Sequence, residues 1–255
     1  MTEQILVVPR RFRGPATSGN GGWTSGALAE LLAPPVPAPP VRVRLSAPPP
    51  LEAAMTVLRA GRSAVAEYLE RPVLTATLLT DGEEGGLDPV PAVPYDAALA
   101  AGDRYAGLRD HPFPECFACG PGRAPDDGLG LRPGPVDPPV GGVDVAAAWS
   151  PGEADVGVDR AVPVPVLWAA LDCPGGWSVD IVGRPMVLGT MTARVLARPG
   201  LAKQCVVTGR ADQVSDRKAL TSTSLYGQSG ELLATAAHVW VAVDPATFGR
   251  AGAES

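Results

Sequence analysis

Ile5 to Phe12, led by Ile-Leu-Val-Val, has the β-branched and aliphatic run of a strand. A glycine-rich loop, Gly14 to Gly22, follows. Beyond it Trp23, Ala27, Leu28, Leu31 and Leu32 share one face at helical spacing, and Pro34 and Pro35 stop that helix. Val41-Arg-Val-Arg-Leu45 alternates apolar and polar positions, as a strand does. Met55 to Leu58, Ser63 to Leu69 and Val73 to Thr80 add three more strands. Residues 82–140 break the pattern: prolines, glycines, a short helix around Tyr95 to Leu108, and the loop His111-Pro-Phe-Pro-Glu-Cys-Phe-Ala-Cys-Gly-Pro121 read as a connector with local order.

The pattern then starts again. Val143 to Trp149 predicts a strand, a loop with Pro163 and Pro165 follows, and Leu167, Ala170, Leu171 and Pro174 mark a short buried helix that Pro174-Gly-Gly176 ends or kinks. Met186 to Leu196, Gln204 to Ala211, Lys218 to Tyr226 and Glu231 to Val243 are strand-like. Laying Val41–Leu51 over Met191–Leu201 matches Arg44 with Arg194, Pro49 with Pro199 and Leu51 with Leu201. Chance similarity between strands would give a few such matches, but the shared order of elements favours a duplicated unit. The chain divides at 1–81, a connector at 82–140 with the C-x-x-C loop, a second module at 141–245, and a tail at 246–255.

Composition narrows the partners. The 255 residues are 45% hydrophobic, with only 5% aromatic and a net charge of -6. No basic block is available to neutralise phosphates, so a nucleic-acid surface is not expected. No apolar run approaches the ~20 residues that span a bilayer, and the N-terminus lacks the pattern of a secretory signal. The expected compartment is the cytoplasm, with no membrane partner. Lys203 and Lys218 are the only lysines among many arginines, which with the abundant Ala, Gly and Pro suggests a GC-rich bacterial genome.

The chemistry centres on Asp172, one carboxylate in the apolar stretch Val166-Leu-Trp-Ala-Ala-Leu-Asp172. Such a group must be solvated through a pocket, hydrogen-bonded, or shifted in pKa. It could also cap a turn or pair with an arginine. Four cysteines in a chain of this size form no disulfide framework. Cys116 and Cys119, with His111, invite a zinc reading, but structural zinc usually takes four ligands. The second pair is missing, and Cys173 and Cys205 sit in expected core elements, so no metal is expected and the loop reads as a turn holding two free thiols. A nucleophilic Cys173 is disfavoured by its apolar neighbours, which raise a thiol's pKa. Neither Gly19-Asn-Gly-Gly22 nor Gly85-Gly86 matches a nucleotide fingerprint, and no cofactor is expected.

The loop Gly19-Asn-Gly-Gly22 entering the first helix, Asp172 in the second helix, and the strand order together resemble the hotdog fold, specifically the fused double-hotdog acyl-CoA thioesterases. The resemblance implies an α+β protein of two fused hotdog modules, each an antiparallel sheet wrapped around a central helix. It further implies a site between the modules, built from the loop of one and the helix of the other. The first half keeps Asn20-Gly-Gly but has Ala29 where the acid would stand; the second keeps Asp172 but has Pro163 where the His or Asn would stand. One composite site, Asn20 with Asp172, is expected to survive, and Pro163 with Ala29 is expected to be dead. In that reading Asp172 orients or deprotonates water. Gly21, Gly22 and Trp23 bind substrate, with loop N–H groups as oxyanion donors. Thr190 or Thr192 supplies a hydroxyl, and His238 stands where the family carries a glutamine. Ordinary strand threonines, a core histidine and a turn asparagine would explain the same residues without catalysis. The implied substrate is an acyl-CoA or acyl-carrier-protein thioester, and a homo-oligomer is left open. A non-catalytic acyl-CoA or lipid-like binder is the alternative, with a hotdog hydratase or dehydratase last, since Asp159 has no histidine beside it.

Overall fold

The computed structural model describes residues 4–80, 82–83 and 86–244, with the backbone alone for 138–140. The expected tail at 246–255 lies outside them. Eleven strands form one sheet in the order β1-β3-β4-β5-β2-β8-β11-β10-β9-β7-β6. The first five run over β1 (Gln4–Val7), β2 (Val41–Leu45), β3 (Ala54–Ala60), β4 (Ser63–Tyr68) and β5 (Arg71–Leu78). The other six are β6 (Gly134–Val140), β7 (Val143–Trp149), β8 (Met186–Val195), β9 (Cys205–Val214), β10 (Lys218–Tyr226) and β11 (Leu232–Ala242). Every ladder is antiparallel. The middle seam joins β2 to β8, with Arg42 opposite Thr192 and Val43 opposite Met191.

Three α-helices occur among the described residues: α1 (Gly21–Leu32), α2 (Tyr95–Gly102) and α3 (Val164–Trp177). Helix α1 packs on β2, β4 and β5, and α3 on β7 to β11. The two helices run antiparallel against each other. A Cβ on Gly22 would meet Asp172 Cβ at 2.5 Å and Trp168 O at 2.6 Å, and one on Gly26 would meet Trp168 Cβ at 2.7 Å. The missing side chains at these two positions let the backbones approach, and Trp168 fills the contact. Strand, helix and four further strands thus occur in this order twice, as β1-α1-β2-β3-β4-β5 and β7-α3-β8-β9-β10-β11. No helix among the described residues is long and apolar enough to cross a membrane.

The first strand ends at Val7, short of Phe12, and Arg10–Phe12 forms a 3-10 turn; two larger expectations also need correction. Helix α3 does not end at Pro174 but runs through Pro174-Gly-Gly to Trp177. Proline removes one helical hydrogen bond, yet this turn is pressed against the sheet. A Cβ on Gly175 would meet Thr221 Oγ1 at 2.7 Å, and one on Gly176 would meet the Trp240 ring at 3.0 Å. Close packing of side-chain-free backbone, with Trp177 buried at the end, outweighs the local preference. The second correction concerns the stretch 134–140, read as connector, which forms the edge strand β6 on β7. Helix α2 also packs on β6, β7 and β9, and Val90, Val93, Ala98 and Ala101 join Val143, Ala146 and Val206 in a second, smaller core.

Candidate active site

The N-terminus of α1 and the middle of α3 meet at Asp172. Asn20 is the N-cap of α1: its side-chain oxygen accepts from Trp23 N at 2.8 Å, the usual use of asparagine at this position. The same side chain turns its Nδ2 toward Asp172 Oδ2 at 3.4 Å, and Gly22 N donates to that oxygen at 2.9 Å. Residues 152 apart in sequence thereby share one buried hydrogen-bond cluster. Asp172 is 3% exposed, and its Oδ1 has no hydrogen-bond partner among the described residues. Burial pushes its pKa up to about 8; the Gly22 N–H opposes the shift, Cys116 adds to it, and Asn20 opposes it. A carboxyl titrating near neutrality is suited to taking and returning a proton.

A cavity of about 270 Å³ opens beside this cluster. Asn20, Gly21 and Asp172 line it, along with Ser18, Leu188 and Trp240, and its walls are mostly apolar. The first turn of α1 offers few spare donors. Gly22 N binds Asp172, Trp23 N binds Asn20 Oδ1, and Thr24 N binds Asn20 O at 3.0 Å. Gly21 N is the remaining first-turn donor on the cavity wall, so the set of oxyanion donors expected from the loop contracts to one.

Other expected site residues stand elsewhere. Trp23 stacks on Phe12, with ring centroids 4.1 Å apart and planes 11° from parallel, and belongs to the main core. Thr192 faces Arg42, whose Nε lies 3.4 Å from its hydroxyl, and Thr190 is paired with Arg44. Met191 and Ala193 between and beyond them are buried in the core, so the two-residue period of β8 puts both hydroxyls on the other face of the sheet. His238 is buried against Gly175 and Thr221, with Nδ1 3.2 Å from Thr221 O. Burial pulls its pKa down to about 4 against the opposing Thr221 carbonyl and the Asp212 charge, and Nε2 has no partner among the described residues. It is a packed core histidine. Asp159 forms an ion pair with Arg198 at 2.8 Å.

Two groups on the cavity wall were not assigned to it from sequence. One is the loop carrying His111, Cys116 and Cys119, and the other is Cys173 on α3. Cys116 Sγ and Cys173 Sγ are 3.6 Å apart, and with Cys119 the three sulfurs lie within 4.8 Å of one another. Hydrogen bonds from the Cys119 and Cys173 thiols hold Cys116 well below the ordinary thiol range. Burial pushes Cys119 up, and the interaction with Cys116 pushes Cys173 up. The C-x-x-C spacing was visible in the sequence; the third thiol, from a helix 54 positions beyond Cys119, was not.

A second cavity, of about 640 Å³, lies at the other end of the paired helices, lined by Ala29, Glu30, Val164, Trp168 and Arg198 among others. Ala29 stands at the position expected for the acid, and the carboxylate in this lining is that of Glu30.

No family model matches the sequence, and no curated protein matches it. Solved structures do. A protein from Novosphingobium aromaticivorans assigned as a thioesterase superposes with a TM-score of 0.61 at 15% identity, over 95% of this chain and 96% of its own. An acyl-CoA thioesterase II from Mycobacterium marinum gives 0.58 at 12% identity, over 96% and 94%. A protein of unknown function with the hotdog fold from Alicyclobacillus acidocaldarius gives 0.52 at 16% identity, over 95% and 94%. Over nearly its whole length this chain therefore has the fold of the thioesterase II-type hotdog proteins.

Proposed function

We propose that this protein hydrolyses acyl thioesters, of coenzyme A or an acyl carrier protein, in the cavity between α1 and α3. The carrying observation is the Asp172 carboxylate: one oxygen is fixed by Gly22 and Asn20, the other is buried with no partner among the described residues, and the residue lines a mostly apolar cavity. Fixing one oxygen orients the other, so Oδ1 can take a proton from water as that water attacks the thioester carbonyl. The developing oxyanion meets the Gly21 N–H and the positive end of α1. Collapse breaks the C–S bond, and the proton held by Asp172 goes to the leaving thiolate. The fold shared with the thioesterases above supports the reading.

The two halves are read as a duplicated hotdog unit. The alignment that lays Val41 over Met191 carries Arg42 onto Thr192, and these two residues face each other across the central seam, as positions on a two-fold axis should. Matching the two helix caps, Asn20 and Pro163, carries Gly22 onto Pro165 and Ala29 onto Asp172. The counterpart site thus lacks both the carboxylate and the N–H that would bind it.

A second reading, a thioester-binding protein without hydrolysis, is favoured by the position of Thr190, Thr192 and His238 away from the cavity. A panel of acyl-CoAs, assayed for free thiol release with wild type and Asp172→Asn, separates the two. Loss of turnover in the variant, with retained binding of a non-hydrolysable CoA thioether, supports hydrolysis. Binding without turnover by wild type supports the second reading, and turnover unchanged in Asp172→Asn removes the proposed mechanism.

A further inference from the structure

Beside Asp172, the connector loop and α3 bring together three buried thiols that the proposed hydrolysis does not use. The loop is built around Cys116. Its carbonyl accepts from Gly120 N at 2.9 Å, closing the Cys-Phe-Ala-Cys-Gly turn. Gly120 fits where a Cβ would lie 2.4 Å from Pro114 O. The turn is locked from outside: Phe117 N donates to Arg13 O at 2.8 Å, and the buried Arg123 guanidinium donates to Glu115 O and Arg11 O, both at 2.7 Å.

Donors converge on these sulfurs from several elements. Asn20 Nδ2 lies 3.6 Å from Cys116 Sγ, and Trp177 Nε1 lies 3.4 Å from Cys119 Sγ. His111 Nε2 is also 3.4 Å from Cys119 Sγ, while its Nδ1 accepts from Phe113 N at 2.9 Å. That acceptor role leaves the ring proton on Nε2, so His111 is a donor to sulfur and not a metal ligand in this arrangement. A neutral thiol is a weak acceptor and does not call for three N–H groups around two sulfurs. Thiolates do, and N–H groups aimed at ligand sulfur are the outer shell that orients and tunes thiolate ligands.

We infer that Cys116, Cys119 and Cys173 bind a thiophilic divalent cation, Zn²⁺, as three thiolates, with the fourth position facing the cavity and filled by water. Tetrahedral zinc with Zn–S bonds of about 2.3 Å needs sulfurs roughly 3.8 Å apart. The 3.6 Å between Cys116 and Cys173, and the 4.8 Å bound on the trio, bracket that spacing. Binding releases the thiol protons and offsets the cost of burying thiolates. The ion ties the connector loop to α3 one residue beyond Asp172, so it fixes the cavity wall from outside the helix pair. The site stands whether or not the neighbouring cavity hydrolyses thioesters.

The test uses the full chain, isolated under reducing conditions without chelator. Elemental analysis is expected to find close to one zinc per chain. The apo protein should take zinc back and lose at least several degrees of melting temperature without it. Cys116→Ser and Cys173→Ser should each lose the metal, while Cys205→Ser, altered at a buried thiol on β9 outside the trio, should keep it. Should the serine variants not fold, Co²⁺ titration of wild-type apo protein decides: intense visible bands of a tetrahedral site with thiolate-to-metal charge transfer support the assignment. No thiolate charge transfer, no zinc uptake by reduced apo protein, equal metal loss in Cys205→Ser, or a Cys116–Cys173 disulfide in freshly isolated protein would each overturn it.

Discussion

Acidification should separate wild type from His238→Gln, because the buried ring must remain neutral in the folded protein. His238 is 3% exposed; Nδ1 faces Thr221 O and Oγ1 at 3.2 and 3.3 Å, and Nε2 faces no acceptor among the described residues. A proton added at Nε2 would be buried without a partner. Burial accordingly lowers the pKa from 6.5 to about 4, even though the Thr221 carbonyl and the Asp212 carboxylate favour the charged ring. The folded value is the lower one, so the unfolded chain binds more protons between the two. The stability contribution is complete above pH 6.5 and is lost as the pH falls toward 4, by about 1.4 kcal/mol per pH unit and about 3 kcal/mol in total. Glutamine is neutral throughout and keeps an amide donor for the Thr221 carbonyl. Urea unfolding of both proteins from about pH 7.5 to about pH 4.5 should show the gap closing or reversing by roughly 2 to 3 kcal/mol in favour of the variant. Carboxylates common to both cancel in the difference. Two curves that fall in parallel with pH would show that the ring charges without cost and refute the reasoning.

Gly22→Ala should be costlier than an ordinary overpacked site, because its Cβ would meet Asp172 Cβ at 2.5 Å and strain the Gly22 hydrogen bond. Chemical denaturation should show a loss of about 2 to 4 kcal/mol. Asn20→Ala removes the α1 cap and the second contact to Asp172, and should cost about 1 kcal/mol by the same assay while lowering turnover further than the stability loss explains. Ala29→Asp should not revive the counterpart site, since Pro165 has no N–H to offer and Ala29 is 1% exposed. Turnover should stay at the wild-type level while stability falls by roughly 1 to 3 kcal/mol. Trp23→Ala, which empties the space stacked on Phe12, should cost about 3 to 5 kcal/mol as read by thermal or urea unfolding.

Periodicity carried most of the strands and the first helix, because alternation over Val41–Leu45 and the spacing of Trp23, Ala27, Leu28 and Leu32 report local burial that the fold preserves. The meeting of Asn20 with Asp172 was legible only through the resemblance, since no local pattern links residues that far apart. Thr190 and Thr192 show the limit of strand reading. Alternation tells that neighbours face opposite ways, but which face meets the helices depends on the seam with β2, where Arg42 and Arg44 claim the outer side. Pro174 misled for the opposite reason: its local preference is real and is overridden by contacts with β9, β10 and β11. Cys173 was set aside because it belonged to a core helix, although burial does not stop a helix from presenting one thiol to a loop behind it.

The two ends of the eleven-stranded sheet differ in their ability to recruit another chain. An open edge exposes backbone donors and acceptors on which a foreign strand can add. Strand β6 closes one end with Gly-Pro-Val-Asp-Pro-Pro-Val, whose three prolines carry no N–H. Such an edge cannot complete a ladder with an incoming strand, so it resists fibril growth and strand exchange from that side. The opposite end is the four-residue β1, with Ile5 and Val7 outward-facing and more than a third exposed. Strand-mediated self-association of this protein, if it is driven, should therefore begin at β1.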